Sequence, residues 1–112
     1  MTPEEAVQGQ VDAYNARDLE RFVAYYSDSI SVFRMPGTEP TLAGKSRFAE
    51  FYATQRFNRP GLRAEILHRM VLGHNVIDHE RIYGVQEQPF EIAAAYEVID
   101  GMIHRVWFFA AD

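Results

Sequence analysis

Apolar residues lie three or four positions apart in the first half of the chain, which is the spacing of amphipathic helices. Val7, Val11 and Tyr14 form the first apolar stripe, and the preceding Thr-Pro-Glu-Glu segment supplies a capping box. A Pro-Gly pair at residues 60–61 ends the last stripe. The spacing therefore predicts three helices, which run from residue 2 to 14, from 18 to 26 and from 44 to 57.

A short β-rich segment from Ile30 to Met35 separates the second and third helices, and longer β-rich runs follow the Pro-Gly pair. These runs predict four consecutive antiparallel strands. Asp100-Gly101 precedes the last strand, and such a pair favours a two-residue hairpin because both residues tolerate positive φ angles. Helices gathered on one face of such a sheet indicate a single α+β domain over residues 1–112. The predicted strands cover residues 62–72, 75–83, 90–99 and 102–109.

We expect the antiparallel sheet to be strongly curved and to wrap as a cone over the three N-terminal helices. A concave, mainly apolar pocket would then lie at the open end of the cone, which is the kind of place where small ligands bind. The helical stripes direct Tyr14 and Tyr26 towards this space.

The composition of the 112-residue chain is that of a globular domain, with 47% apolar residues and a net charge of -5. The negative charge argues against a nucleic-acid partner, because nucleic acids are held mainly by Lys and Arg on their phosphates. The chain has no cysteine, no apolar run long enough to span a membrane and no signal-peptide pattern at its start. We therefore expect a cytoplasmic protein without a membrane partner.

Six positive charges fall within one stretch of the chain, residues 45–69. A solvated helix face and loop explain such a cluster, and a rim that binds an anionic ligand is the alternative. The six residues are Lys45, Arg47, Arg56, Arg59, Arg63 and Arg69.

Five short segments occur in a recognisable order along the chain. They are Tyr-Asn-Ala-Arg-Asp-Leu at 14–19, Tyr-Tyr-Ser-Asp-Ser-Ile at 25–30, Leu-Ala-Gly-Lys at 42–45, Glu-Phe-Tyr-Ala at 50–53 and Tyr-Glu-Val-Ile-Asp-Gly-Met-Ile at 96–103. Together they resemble the nuclear transport factor 2-like superfamily, in its SnoaL-like and ketosteroid isomerase-like branch. The resemblance implies a cone-shaped, cystatin-like α+β barrel and commonly a homodimer. It implies no single activity, because isomerases, dehydratases, hydrolases, cyclases and binding modules share this fold.

The resemblance also allows the catalytic positions of ketosteroid isomerases to be compared with this chain. Arg34 stands where those enzymes have their proton-shuttling aspartate, Gln10 where they have an oxyanion-hole tyrosine, and Ala94 near their protonated aspartate. Because all three groups are replaced, that enolisation chemistry lacks its machinery here. The pocket tyrosines Tyr26 and Tyr52 are retained, so we expect a SnoaL-like protein that is not a ketosteroid isomerase.

Strand orientation carried over from the family implies that His79 and His104 face the pocket together with Tyr96 and Phe108. Two imidazoles would then form an acid–base pair that titrates near neutral pH. The alternative is that both histidines lie on the outer face of the sheet, as hydrogen-bonded surface or interface residues. The four histidines of the chain show no metal-ligand spacing, so we expect no metal site.

A reversed strand orientation, or a β-bulge in the last strand, would exchange the residues that face the pocket. Asp78, Glu80, Glu97 and Arg105 would then face inwards. The resemblance makes this charged set similar to the carboxylate–arginine arrangement of the epoxide hydrolase branch. Its ordinary explanation is an exposed ladder of cross-strand salt bridges.

The combined prediction is an apolar pocket for a small cyclic or aromatic molecule, in a cofactor-free acid–base isomerase, dehydratase or hydrolase. His79 would be the base, and Arg34 would supply a positive charge for an oxyanion or carboxylate. Proton donors would come from Tyr26, Tyr52 or His104. The alternative is a non-catalytic ligand-binding or dimerisation module. The aromatic last strand further predicts a homodimer through the outer face of the sheet. The residues predicted to bind the ligand are Tyr14, Tyr26, Phe51, Tyr52, Tyr96 and Phe108.

Overall fold

The computed structural model describes residues 1–111, which form three helices and six strands. The helices pack on one face of a single sheet, as the α+β prediction requires. The helices are α1 (Pro3–Asn15), α2 (Leu19–Ala24) and α3 (Lys45–Gln55). The strands are β1 (Tyr26–Arg34), β2 (Leu42–Ala43), β3 (Arg63–Leu72), β4 (Asn75–Tyr83), β5 (Phe90–Ile99) and β6 (Met102–Ala110).

The first two helices begin at the capping residues that the sequence contains. The Thr2 hydroxyl accepts a hydrogen bond from the Glu5 N–H at 3.1 Å, and the Glu5 carboxylate accepts one from the Thr2 N–H at 2.7 Å. The Asp18 carboxylate accepts a hydrogen bond from the Arg21 N–H at 3.1 Å and caps α2. These local hydrogen bonds explain why both helix starts could be predicted.

The second helix is shorter than predicted, because the chain changes to a strand before the end of its apolar stripe. It ends at Ala24, and Tyr26 is already the first residue of β1. The Ile103 N–H donates a hydrogen bond to the Tyr25 carbonyl at 2.9 Å, so pairing with β6 takes over the carbonyl that a longer helix would use. The side chain of Tyr26 still enters the core, with 2% of its surface exposed.

The sheet has the strand order β2-β1-β6-β5-β4-β3 and is open, with β2 and β3 at its edges. The closing meander β3-β4-β5-β6 is antiparallel, as predicted. The parallel pairing of β1 with β6 was not predicted. The two-residue strand β2 was also not predicted, since it lies in a segment rich in turn residues.

The hairpin between β5 and β6 forms at Asp100-Gly101, whose φ angles of 52° and 77° are both positive. Beyond the turn, Val98 pairs with Ile103 but Glu97 pairs with Arg105. His104 is therefore the extra residue of a β-bulge. The bulge lets Ile103 and Val106 both face the helices, where they are buried.

Strand β4 has the opposite orientation to the one predicted. Val76, Asp78, Glu80 and Ile82 are buried, and the residues between them are partly exposed. Apolar residues occur on both faces of this strand, so its own pattern does not decide the orientation. Pairing with β5 does so, because Val76 lies opposite the buried Tyr96.

An aromatic cluster joins α2 and α3 to β1 under the sheet. The Phe22 ring centroid lies 5.1 Å from that of Tyr26 and 4.8 Å from that of Tyr52. Phe48 lies 4.3 Å from Tyr26 by the same measure. Such contacts between tilted rings fix the position of the helices over the sheet. Among the described residues, no helix is both long enough and apolar enough to cross a membrane.

Candidate functional site

A cavity of about 480 Å³ lies between the helices and the inner face of the sheet. One wall is both buried and polar and consists of Gln10, Tyr26, Glu80 and Tyr96, which we call the buried wall. Its rim includes Arg34 and Arg56, which are more accessible. The remaining lining is mainly apolar. The volume of the cavity is within the range of small-molecule sites.

The buried wall is connected by a chain of hydrogen bonds across four elements. The Tyr26 hydroxyl on β1 donates to the Gln10 amide oxygen on α1 at 2.7 Å. The amide nitrogen of Gln10 lies 3.3 Å from the Tyr96 hydroxyl on β5. That hydroxyl donates in turn to the Glu80 carboxylate on β4, at 3.2 Å. The chain of donors therefore ends on Glu80.

Glu80 has an unusual environment for a carboxyl group. Burial and, to a smaller extent, the charge of Asp78 raise its pKa from 4.5 to about 8, although the Tyr96 hydrogen bond and Arg69 oppose the shift. Within residues 1–111, no cationic nitrogen lies within 4.0 Å of its oxygens. The carboxyl group of Glu80 therefore changes its protonation state near neutral pH, as catalytic acids and bases do.

The tyrosines around Glu80 remain hydrogen-bond donors. Burial raises the pKa of Tyr26 and Tyr96 well above the ordinary value of tyrosine. Burial also raises the pKa of Tyr52 to about 12, although Arg56 and Arg34 act against it. At neutral pH all three phenols keep their protons, so the titrating group in this wall is Glu80.

Asp78 lies behind Glu80 and forms the second buried carboxylate of β4. The guanidinium of Arg69 donates to its two oxygens at 2.7 and 3.0 Å, which is a bidentate ion pair. A third hydrogen bond, at 2.8 Å, joins Arg69 to the Gln8 side-chain oxygen on α1. The Asp78 carboxylate therefore lies next to Glu80 on the same face of β4. Arg69 ties α1 to β3 and β4 through its hydrogen bonds to Gln8 and Asp78.

Most of the residues predicted to bind the ligand line this cavity. Five of the six contribute to the lining, and so does Arg34, to which a charge-supplying role was assigned. Phe51 does not, because its ring packs on Tyr52 at a centroid distance of 5.3 Å beside the cavity. The five are Tyr14, Tyr26, Tyr52, Tyr96 and Phe108.

The predicted inward orientation of His79 and His104 is wrong. His79 lies on the outer face of β4, where its Nε2 is 2.6 Å from the Glu91 carboxylate and 41% of its side chain is exposed. His104 is the bulge residue of β6, and it does not line the cavity. The two imidazoles therefore form no acid–base pair, since strand pairing and the bulge place them away from the helices.

The alternative charged set is divided between the two faces of the sheet. Asp78 and Glu80 face inwards, as the reversed orientation of β4 requires. Glu97 and Arg105 lie next to the inward residues Tyr96 and Val106 and pair with each other at 3.6 Å on the outer face. The outer pair is thus a cross-strand salt bridge of the ordinary kind.

Three further residues that line or support this site were not predicted from the sequence to have a role there, namely Gln10, Arg56 and Arg69. Arg56 and Arg69 appeared only as members of a basic cluster. The sequence does contain a signal for Glu80, because Asp78 and Glu80 occupy the same face of β4 as the apolar residues Val76 and Ile82. Among the described residues, no group of three His, Cys, Asp or Glu side chains could hold a metal ion.

Solved structures of similar fold support the architecture. An uncharacterised cystatin-fold protein from Novosphingobium aromaticivorans has a TM-score of 0.85 and 26% identity, over 96% of this chain and 97% of the other. A nuclear transport factor 2-like protein of unknown function from Cytophaga hutchinsonii has a TM-score of 0.82 and 12% identity, over 98% and 90%. An LEH-like epoxide hydrolase from Mycobacterium tuberculosis has a TM-score of 0.80 and 18% identity, over 95% and 80%. The last two show the fold alone.

A comparison with curated protein sequences finds no match for this chain. The model of the SnoaL-like domain matches residues 7–106, which is most of the chain and includes all four residues of the buried wall. The family inferred from the five sequence segments is therefore confirmed, and this chain belongs to the SnoaL-like domain family.

Proposed function

We propose that this protein is an acid–base enzyme, in which Glu80 transfers a proton on a small, mainly apolar substrate held in the cavity. The observation that carries the proposal is the position of Glu80. Its carboxyl group lies in the cavity wall, is 5% exposed and has its pKa raised to about 8. A catalytic acid or base works best when its pKa lies near the operating pH.

Isomerisation by a proton shuttle fits this arrangement best. The buried wall has a single group that titrates near neutral pH, which is Glu80, and a proton shuttle needs only one such group. Glu80 as carboxylate would take a proton from carbon next to a carbonyl, and as carboxylic acid it would return that proton to another carbon. The O–H groups of Tyr26 and Tyr96 already donate to Gln10 and Glu80. The phenol of Tyr52 also lines the cavity and keeps its proton, so it would be the donor that stabilises the intermediate oxyanion.

The proposed catalytic group lies at a different position in the chain from the catalytic groups of ketosteroid isomerases. The three positions compared above carry Arg34, Gln10 and Ala94 here, and Glu80 comes from β4 instead. Gln10, which stands in the place of an oxyanion-hole tyrosine, holds the hydroxyls of Tyr26 and Tyr96 in position. Dehydration and hydrolysis also need proton transfer, but a second acid–base group or a placed water would have to join Glu80.

The test is turnover of β,γ-cyclohexenone to its conjugated isomer, followed by ultraviolet absorption. We expect Glu80→Gln to lower kcat/KM about 10²- to 10⁴-fold, the usual contribution of a general acid–base group. Glu50→Gln is the matched control, because Glu50 is exposed on α3 and does not line the cavity. The pH profile should rise towards the Glu80 pKa of about 8, as the carboxylate becomes available.

Retention of full activity by Glu80→Gln would contradict the proposed role. If the wild-type protein binds cyclohexenone without converting it, the non-catalytic binding module becomes the better explanation. Cyclohexene oxide, assayed in parallel for ring opening, distinguishes a hydrolase from an isomerase.

A further inference from the structure

Two arginines lie at the rim of the cavity, on different elements. Arg34 is the last residue of β1, and Arg56 follows the last turn of α3. Both belong to the lining. The guanidinium carbon of Arg34 is 5.2 Å from the ring centroid of Phe108, and that of Arg56 is 5.0 Å from the ring centroid of Phe51. Each charged group therefore has an aromatic support.

These aromatic contacts position the guanidinium groups without using up their donors. A guanidinium stacks through its flat face, whereas its N–H groups lie in the plane and remain available for an anion. In the described part of the chain, one donor is used by a protein acceptor, since Arg56 donates to the Gln55 carbonyl at 2.9 Å. Most of the donor capacity of the two side chains is left for a ligand.

Neither arginine has a carboxylate partner within 4.0 Å among residues 1–111. The chain has 16 acidic and 11 basic residues, so acidic partners are not scarce. Glu91 is the one carboxylate that lines the cavity besides Glu80, within the described residues. It is already bound by His79 at 2.6 Å and by Arg81 at 3.2 Å, so it does not neutralise the rim.

The positive charges of the rim act inside the cavity. Both arginines lower the pKa of Tyr52, a buried residue of the lining, against the effect of its burial. At the buried wall, Glu80 is mainly protonated at neutral pH, and Asp78 behind it is paired with Arg69. The cavity therefore has a cationic rim and an acidic, phenolic wall, with apolar surface between them. This polarity would orient a ligand that carries one anionic group.

We propose that the cavity selects amphipathic anions, whose apolar body fills the cavity and whose carboxylate or phosphate group binds Arg34 and Arg56. Among the described residues, no cationic nitrogen lies within 4.0 Å of Glu80 at the buried wall, whereas an anion at the rim meets the guanidinium groups of Arg34 and Arg56. The inference rests on the proposed function only in assigning the uncharged end of the molecule to Glu80.

Binding of naphthoate, measured by titration calorimetry, tests this selectivity against its uncharged amide, naphthamide. Measurements near pH 6 keep Glu80 protonated, since its pKa is about 8. We expect naphthoate to bind at least about tenfold more tightly than naphthamide, a modest value because the rim is accessible to solvent. Naphthyl phosphate, measured in parallel, shows which of the two anionic groups the rim prefers.

The double variant Arg34→Gln/Arg56→Gln should remove this preference and leave naphthamide binding unchanged. Arg47→Gln is the matched control, because it removes an exposed arginine of α3 that does not line the cavity. Glu80→Gln should retain the preference for the anion, so failure of the proposed catalysis is distinguishable from failure of this inference. Equal binding of acid and amide, a preference that survives in the double variant, or no naphthoate binding at millimolar concentration would overturn it.

Discussion

Asp78 and Glu80 project from the same face of β4, two residues apart, and in the described structure only Asp78 is paired with a cation. The guanidinium of Arg69 binds both oxygens of Asp78, at 2.7 and 3.0 Å. Among residues 1–111, Glu80 accepts a hydrogen bond only from the Tyr96 hydroxyl, at 3.2 Å. The charge of Asp78 and the burial of Glu80 therefore act together to keep a proton on Glu80.

The raised pKa of Glu80 predicts that this residue makes stability decrease with rising pH. Between the unfolded value of 4.5 and the folded value of about 8, the folded protein retains a proton that the unfolded chain has lost. The unfolded state then binds fewer protons, and the cost approaches about 1.4 kcal/mol per pH unit. Below pH 4.5 both states are protonated at this group, so the effect is absent there.

The measurement is urea unfolding of the wild-type protein and of Glu80→Gln at several pH values within that window. The unfolding free energy of Glu80→Gln minus that of the wild-type protein should increase as the pH rises. Taking the difference removes the opposite contribution of groups such as Glu91, whose pKa is lowered by its hydrogen bonds with His79 and Arg81. A difference that is independent of pH would show that Glu80 titrates normally.

Asp78→Asn should destabilise the protein by about 3 kcal/mol, because the largely buried guanidinium of Arg69 loses its countercharge. The same change should lower the pKa of Glu80, since a neighbouring negative charge is removed. Chemical unfolding and carboxyl NMR titration measure the two effects separately. Adding Arg69→Gln should recover part of the stability. An unchanged pKa of Glu80 in Asp78→Asn would leave burial as the sole cause of its shift.

Gly84→Ala should be more destabilising than Gly73→Ala, although both glycines have a positive φ angle. A methyl group at Gly84, where φ is 83°, would meet the backbone of Gly61. The same group at Gly73 would meet no atom within 4 Å. We expect more than about 2 kcal/mol at Gly84 and about 1 kcal/mol at Gly73, by chemical unfolding. Equal losses would indicate that the contact with Gly61 is easily relieved.

We predict that the outer face of the sheet pairs with a second copy of the chain. Phe33 and Trp107 stack there with ring centroids 5.9 Å apart, and Phe109 is 45% exposed. Aromatic residues of this kind are enriched in protein interfaces. Sedimentation velocity at micromolar concentration should show twice the 12.9 kDa monomer mass for the wild-type protein, and the monomer mass for Trp107→Glu. Thr54→Glu, on the exposed surface of α3, should leave the mass unchanged, and a monomeric wild type would contradict the prediction.

Local sequence features explain the parts of the fold that could be predicted. Thr2 and Asp18 cap helices through hydrogen bonds to residues three positions away, and Asp100-Gly101 forms a turn within two residues. The predicted helical stripes also directed Tyr14 and Tyr26 to the cavity, and the resemblance of residues 50–53 did so for Tyr52. These features depend on near neighbours along the chain, so the sequence was sufficient for the α+β architecture and much of the lining.

Tertiary structure decided which titratable side chain of β4 lies in the cavity wall. Strand β4 carries apolar residues on both faces, so only its register with β5, with Val76 opposite Tyr96, brings Glu80 inwards and leaves His79 outside. The bulge at His104 similarly arises from pairing between β5 and β6. By itself the sequence determined the helix caps, the closing hairpin and the family. Contacts between distant segments determined which carboxylate is buried, because a one-residue change of strand register exchanges the two faces.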